Sequence, residues 1–229
     1  MPDEGLWAVV ALSLRVGLVA TVVTMPLAFA LAYLLARGRF PGKVLLDGVV
    51  HLPLVVPPVV TGWLLLLAFA PNGPIGGWLD RWFGVSVMFN WVGAAIAAGV
   101  MALPLMVRAM RLSIEAVDVR LENAARTLGA GRGKVFRTIT LPLSLPGILA
   151  AAVLGFARAL GEFGATITFV SNVSGETQTL PLAIYAALQM PGGERQVLWL
   201  ALISVALSLA ALIGSGLLAR RAGRGAHVL

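Results

Sequence analysis

Arg158 and Glu162 stand four residues apart in GFARALGEFGATITFVSN, residues 155–172, a stretch otherwise almost free of charge. At helical spacing they share a face and can pair. An ionisable residue at the centre of a membrane span costs about 2.5–3.5 kcal/mol on insertion scales, so such groups face a bundle interior or a cavity. The pair can therefore neutralise itself and lock helices together, or line or gate a pathway, and one arrangement can serve both. Other chemistries lack residues. The chain has no cysteine, which removes disulfides and thiolate metal sites, and His51 and His227 are too far apart in sequence to suggest a histidine-based metal site. GAGRGKV, residues 129–135, has glycines and a lysine in the order of a phosphate-binding loop. That loop, however, needs four residues between its glycine and Gly-Lys, then Ser or Thr for magnesium. Here three residues separate Gly129 from Gly133, and Val135 follows Lys134, so this chain is not expected to bind ATP. No Ser/His pair, paired catalytic carboxylates or metal cluster falls within the apolar runs. No catalytic residue and no metal ligand is assigned, and a membrane-embedded enzyme is disfavoured.

The elements that hold these residues are set by composition. Of 229 residues, 59% are hydrophobic and 12% charged, against about 25% charged in soluble domains. The mean hydropathy is +0.93. The apolar residues come in blocks, which makes this an all-α integral membrane protein. Five blocks approach the roughly 20 residues that cross a bilayer: 8–36, 49–70, 91–109, 147–170 and 197–219. The first is long enough for a tilted span, or for a short interfacial turn followed by one. It follows MPDEGLW, which has no basic n-region, and no cleavage site follows the block. It reads as a retained span. TQTLPLAIYAALQM, 177–190, is too short to span and suits a re-entrant or interfacial helix, or a helix buried against the bundle. The whole chain, 1–229, is read as one transmembrane domain.

The net charge of +7 reflects topology and not nucleic-acid binding. Arg37, Arg39 and Lys43 lie between spans one and two. Arg108, Arg111, Arg120, Arg126, Arg132, Lys134 and Arg137 lie around the loop between spans three and four, and Arg220, Arg221 and Arg224 lie in the tail. Opposite them stand only Arg81 and Arg195, with Arg15 and Arg158 inside spans. The positive-inside rule then places the N-terminus outside and the C-terminus in the cytoplasm.

Residues 110–146 are long for a linker. Leu112, Ala116, Val119 and Ala124 follow helical spacing. Gly129, Gly131 and Gly133 then interrupt the helix. The pattern resumes in KVFRTITL, and Pro142 and Pro146 close it before span four. The loop reads as helix, sharp turn, second helix, on the cytoplasmic membrane surface. Its arginines suit topology or attraction to anionic lipid, but neither accounts for where Gly129 and Leu141-Pro142 stand.

Those positions resemble the cytoplasmic loop of permease subunits of bacterial ABC importers, whose consensus is Glu-Ala-Ala, three residues, Gly, nine residues, Ile, one residue, Leu-Pro. Here the chain gives Asn123-Ala124-Ala125, Gly129, Ile139 and Leu141-Pro142. Asn123 replaces the glutamate, and Glu122 precedes it, leaving open which of the two makes the family's polar contact. The resemblance implies the type I importer permease fold and a loop that docks into a cleft on a separate ATPase, which carries the ATP and magnesium. No cofactor is expected on this chain. It further implies a homodimer, two ATPase subunits and an external binding protein, in the lipid of a bacterial inner membrane.

RALGEFGA (158–165), GETQTLPLAIYAALQMPGGE (175–194) and LPLVVPPVVTG (52–62), where Pro57-Pro58 should break the start of span two, resemble the permeases for tetrahedral oxyanions, above all molybdate and tungstate. Sulfate and thiosulfate permeases are similar in span four and less so outside it. The resemblance covers nearly the whole chain and points to Arg158, Gly161, Glu162, Phe163 and Gly164 as pathway or packing positions. An ion-driven secondary transporter would need coupling carboxylates in several spans and an internal repeat. Glu162 is the only acid well inside a span, and the chain shows no repeat.

Overall fold

Thirty-four residues form one uninterrupted helix, α1 (Glu4–Arg37), about 50 Å long at 1.5 Å per residue. The computed structural model describes residues 4–226, so His227 lies outside the described residues. Pro26 sits within α1 without ending it, as packed membrane helices permit. The expected first span is thus a single long helix with no separate interfacial turn.

The expected second span, continuous over 49–70, is not found. Two short helices, α2 (Lys43–Val55) and α3 (Pro58–Phe69), take its place, and their axes turn by 113°. Proline disfavours the helical region for the residue before it, and here Val56 precedes Pro57 and Pro57 precedes Pro58. Two consecutive prolines therefore hold Val56 and Pro57 extended, at ψ 136° and 135°. The prolines break the middle of this apolar region, not its start. Pro58 begins α3, where a missing N–H costs nothing.

A short helix, α4 (Gly76–Phe83), precedes α5 (Trp91–Glu115). The Asn90 side chain caps α5 by accepting from the N–H groups of Val92 and Gly93. Of the long helices α5 is the most buried. Its Ala94, Ala95, Ala98 and Ala102 share buried clusters with Val16, Ala20, Ala28 and Ala32 of α1. Such small side chains let helix backbones come close where lipid supplies no hydrophobic drive. At one end, the Arg15 guanidinium carbon lies 3.8 Å from the Trp91 ring centre.

After α5 come α6 (Val119–Thr127), α7 (Arg132–Val135), a π-helical segment (Phe136–Thr140) and α8 (Leu141–Leu160). The expected fourth span, 147–170, is displaced at both ends. Residues 132–160 run as one helical rod, so Pro142 and Pro146 do not close the loop's second helix. Pro142 cannot donate a hydrogen bond, and the adjacent Leu141 N–H reaches back five residues to Phe136 O. This π turn carries the helix past the missing donor. At the other end the rod stops at Gly161, and α9 (Gly164–Val170) starts after a break of three residues.

α10 (Leu180–Leu188) is short, as the sequence suggests, and buries Leu180, Leu182, Ala183 and Ala187. Leu180 N–H donates to Ser13 Oγ of α1 at 2.8 Å. Leu180 and Ala183 also share a cluster with Val10 and Leu200 of the last helix, α11 (Glu194–Ala226). Four described helices are long and apolar enough to span, or five if α2 and α3 count as one broken span.

Candidate functional site

The basic loop begins where α5 ends. Asp118 opens α6 by accepting from Arg120 N–H at 2.8 Å. Gly129, at φ +85°, closes it. Gly129 N–H bonds to Arg126 O and Ala130 N–H to Ala125 O, each at 3.0 Å. This is the paired pattern in which a left-handed glycine satisfies the last carbonyls of a helix. Gly131 and Gly133 have negative or ordinary φ, so only the first of the three glycines is required by backbone conformation.

The helix expected from the sequence pattern is split: α5 runs on to Glu115, the chain turns at 116–118, and α6 begins at Val119. Leu112, Ala116, Val119 and Ala124, expected to form its apolar face, are all exposed, while Ile114, Val117 and Glu122 are buried. The inward position of Glu122 is stabilised by charge. Its Oε1 is 3.0 Å from Arg37 Nη2 at the end of α1 and accepts from Thr140 Oγ1 at 2.9 Å. Arg37 Nη2 also donates to Val117 O at 3.0 Å, in the turn joining α5 to α6. Phe136 packs between Phe29 and Tyr33 of α1, with ring centres 6.0 and 5.3 Å away. Nearby, Arg111 of α5 holds Asp47 of α2 through two contacts of 3.2 Å and Glu115 through one of 2.7 Å. The first ends of α2 and α6 are thus fixed to the same end of the bundle.

The second candidate site is the break after α8. Arg158 Nη1 lies 2.7 Å from Glu162 Oε2, and Glu162 Oε1 accepts from Ala165 N–H at 2.8 Å. The carboxylate therefore serves two helix ends, neutralising α8's arginine and satisfying a free donor at the start of α9. Phe163 faces Tyr185 of α10 at 5.1 Å between ring centres. α9 rests on α3. A side chain at Gly164 would meet Pro58 Cβ at 2.8 Å, and one at Gly62 would meet Ala165 O at 2.5 Å.

The family described as "binding-protein-dependent transport system inner membrane component" matches residues 24–224. The chain belongs to this family. Within it, the chain is 57% identical over 222 residues to the molybdenum transport system permease protein ModB of Escherichia coli K12, covering 95% of this chain and 97% of that one. It is 58% identical over 210 residues to ModB of Haemophilus influenzae, covering 92% of each. Among solved structures, a bacterial ABC transporter involved in the import of the acidic polysaccharide alginate superposes with a TM-score of 0.74. That match is 17% identical and covers 96% of this chain and 80% of that one, so it bears on the fold alone. The protein is a multi-pass inner-membrane transport component with the helical permease fold.

In this family member the eight loop positions picked out by sequence do not form one face. Asn123, Ala124, Gly129 and Pro142 are exposed, Ala125, Ile139 and Leu141 are half-buried, and Glu122 is buried. At the break, Glu162, Phe163 and Gly164 sit among Arg158, Tyr185 and Pro58. Gly161 is exposed, and a Cβ there would have no neighbour nearer than 3.9 Å, so it does no packing. Sequence reasoning missed Arg37 and Thr140, which hold Glu122, and Leu128, which is 88% exposed at the end of α6. Arg37 registered only as a topogenic charge and Thr140 only as the unspecified residue between Ile139 and Leu141. For Leu128 the sequence carries a signal: it is the one large apolar residue in ENAARTLGAGRGK, 122–134.

Proposed function

We propose that this chain is the transmembrane subunit of an ATP-driven importer, forming the translocation pathway for molybdate or tungstate delivered by an external binding protein. The observation that carries the proposal is the 57% identity, end to end, with a molybdenum transport permease. Two copies form the pathway in the lipid bilayer, each binding one cytoplasmic ATPase subunit that supplies the ATP and magnesium. The N-terminus is outside and the C-terminus in the cytoplasm, which puts the arginine-rich loop on the ATPase side. The chain is a single permease domain, performs no covalent chemistry and needs no cofactor of its own.

In this reading α6 is the docking helix. Asn123, Ala124, Ala125 and Leu128 enter the ATPase cleft, and Gly129 ends the helix sharply enough for it to fit. Ile139, Leu141 and Pro142 pass motion into the rod that contains α8. Of the two residues that could make the polar docking contact, exposed Asn123 is the better placed. ATP binding by the partner subunits favours the outward-facing state through their differential affinity for the two conformations. Arg158, Glu162, Phe163 and Gly164 hold the α8–α9 break at the pathway, and the pairing of Glu162 with Arg158 keeps its charge from repelling an anion.

The test is co-purification of the tagged chain with its candidate ATPase and binding protein, followed by ATPase activity in lipid with molybdate, tungstate or sulfate. A stable complex stimulated by molybdate or tungstate supports the proposal. Stimulation by sulfate alone moves the substrate to the sulfate class. A folded chain that binds no ATPase and moves an anion down an ion gradient overturns it.

A further inference from the structure

Three segments of the loop end of the bundle are joined by the chain itself: α5 continues through a short turn into α6, and α6 through Gly129 into the rod containing α8. α1 has no such covalent link to α6. Among the described residues, the side-chain hydrogen bonds that tie α1 to α6 come from one guanidinium. Arg37 Nη2 meets both Val117 O in the turn before α6 and Glu122 Oε1 within α6, each at 3.0 Å. The same carboxylate oxygen accepts from Thr140 Oγ1, in the π-helical segment that leads into α8. Glu122 and Thr140 are buried, at 6% and 2% exposure. An ion pair withdrawn from water in this way is weak as a source of stability, and its best-attested use is to specify one arrangement over others.

From this geometry we infer that Arg37 and Glu122 are positioning residues that fix the orientation of α6 against α1 and the start of α8, so that Glu122 acts inside the chain and not as a contact to a partner. The inference rests on the reading of α6 as the ATPase-docking helix for its functional consequence, though not for the orientation itself. Without the pair, α6 stays tethered at both ends by Asp118 and Gly129 but can swivel about the line joining them. A docking helix that swivels binds its partner while transmitting the partner's motion poorly. Arg126, the other cation near Glu122, is 4.0 Å from Oε2 and half-exposed, and it belongs to α6, so it cannot fix α6 against anything else.

The experiment exploits the absence of cysteine from the chain. Cysteines introduced at exposed Thr127 of α6 and exposed Leu112 of α5 carry a spin-label pair, and their distance distribution is measured in the full-length permease in lipid. The distribution should be narrow in the parent and broadened in both Arg37→Gln and Glu122→Gln, and no broader in the double variant than in either single one. In the assembled transporter, with ATPase, binding protein and molybdate, both single variants should retain the ATPase at the parent ratio. Molybdate moved per ATP hydrolysed should fall about tenfold, within the usual range of coupling between sites. Unchanged distance distributions overturn the inference. So does loss of ATPase binding in Glu122→Gln but not in Arg37→Gln, which would make Glu122 a partner contact. If the distributions broaden as expected and the parent chain binds no ATPase, the orientation role stands and the docking reading fails.

Discussion

Glu162 reaches Arg158 at 2.7 Å across the end of one helix and Ala165 N–H at 2.8 Å across the start of the next. The sequence spacing suggests a pair on one continuous helix. In the structure the pair bridges a break, so it defines a joint. The Glu162 side chain is only 2% exposed, and removing its arginine leaves a carboxylate buried without a counter-charge. Breaking such a pair from one side typically costs about 3–5 kcal/mol. Arg158→Met should therefore destabilise the protein more than the double variant Arg158→Met/Glu162→Gln does, as read by thermal unfolding in detergent. Strictly additive effects would reject an energetic link between the two residues.

Gly129 makes a different prediction for the other site. Its φ of +85° is unfavourable for a residue with a Cβ, but nothing lies within 4 Å of where that Cβ would be. The cost is thus backbone strain alone, about 1–2 kcal/mol for most residues and less for asparagine. Gly129→Asn should retain most ATPase co-purification. Gly129→Leu should insert normally and lose most of it, because the end of α6 reorganises. Normal complex yield and transport in Gly129→Leu would show that this turn is not used for docking.

The two sites differ in how much of them could be read from sequence, and the reason is physical. The long helices follow from hydropathy, which is a local property, and α1, α5 and α11 contain the expected spans, each running past at least one end. The breaks do not follow from it. Pro57-Pro58 and Pro142 both signal a helix end, yet the pair turns the chain by 113° while a π turn absorbs the single proline. The segment after the pair packs on α9, whereas the segment after Pro142 continues the rod. Likewise, Leu112, Ala116, Val119 and Ala124 follow helical spacing in the sequence, but a turn between α5 and α6 divides them, and buried Glu122 faces inward in their place. The Arg37–Glu122 contact joins residues 85 positions apart, and a single sequence carries no local trace of such a partner.

Leu128 gives the third prediction. A leucine 88% exposed at the tip of a charged loop contributes nothing to the fold, so Leu128→Asp should leave thermal stability within about 0.5 kcal/mol of the parent. If α6 enters an ATPase cleft, the same variant should lose at least about tenfold in affinity for the ATPase, as expected for an apolar anchor replaced by a buried charge. Binding that survives the change, measured on immobilised permease, would place the docking contact elsewhere on the loop.

Two glycines, one in the α8–α9 break and one packed against α9, provide a matched comparison. Gly161 lies in the break itself, at φ −90°, and a Cβ there would meet only ordinary contacts at 3.9 Å or more. Gly62 lies on α3, where a Cβ would fall 2.5 Å from Ala165 O and 2.9 Å from Ala165 Cα, both backbone atoms of α9. Backbone cannot step aside as a flexible side chain can, so Gly62→Ala must push α3 and α9 apart. Overpacking of this kind costs about 1–3 kcal/mol, and Gly161→Ala should cost less than about 0.5 kcal/mol. Thermal unfolding of the two variants in the same detergent compares them directly. Because α9 carries the N–H that binds Glu162, Gly62→Ala should also weaken the Arg158–Glu162 coupling measured by the double-mutant cycle. Equal stability of the two variants would mean that α3 and α9 do not pack at the separation their glycines allow.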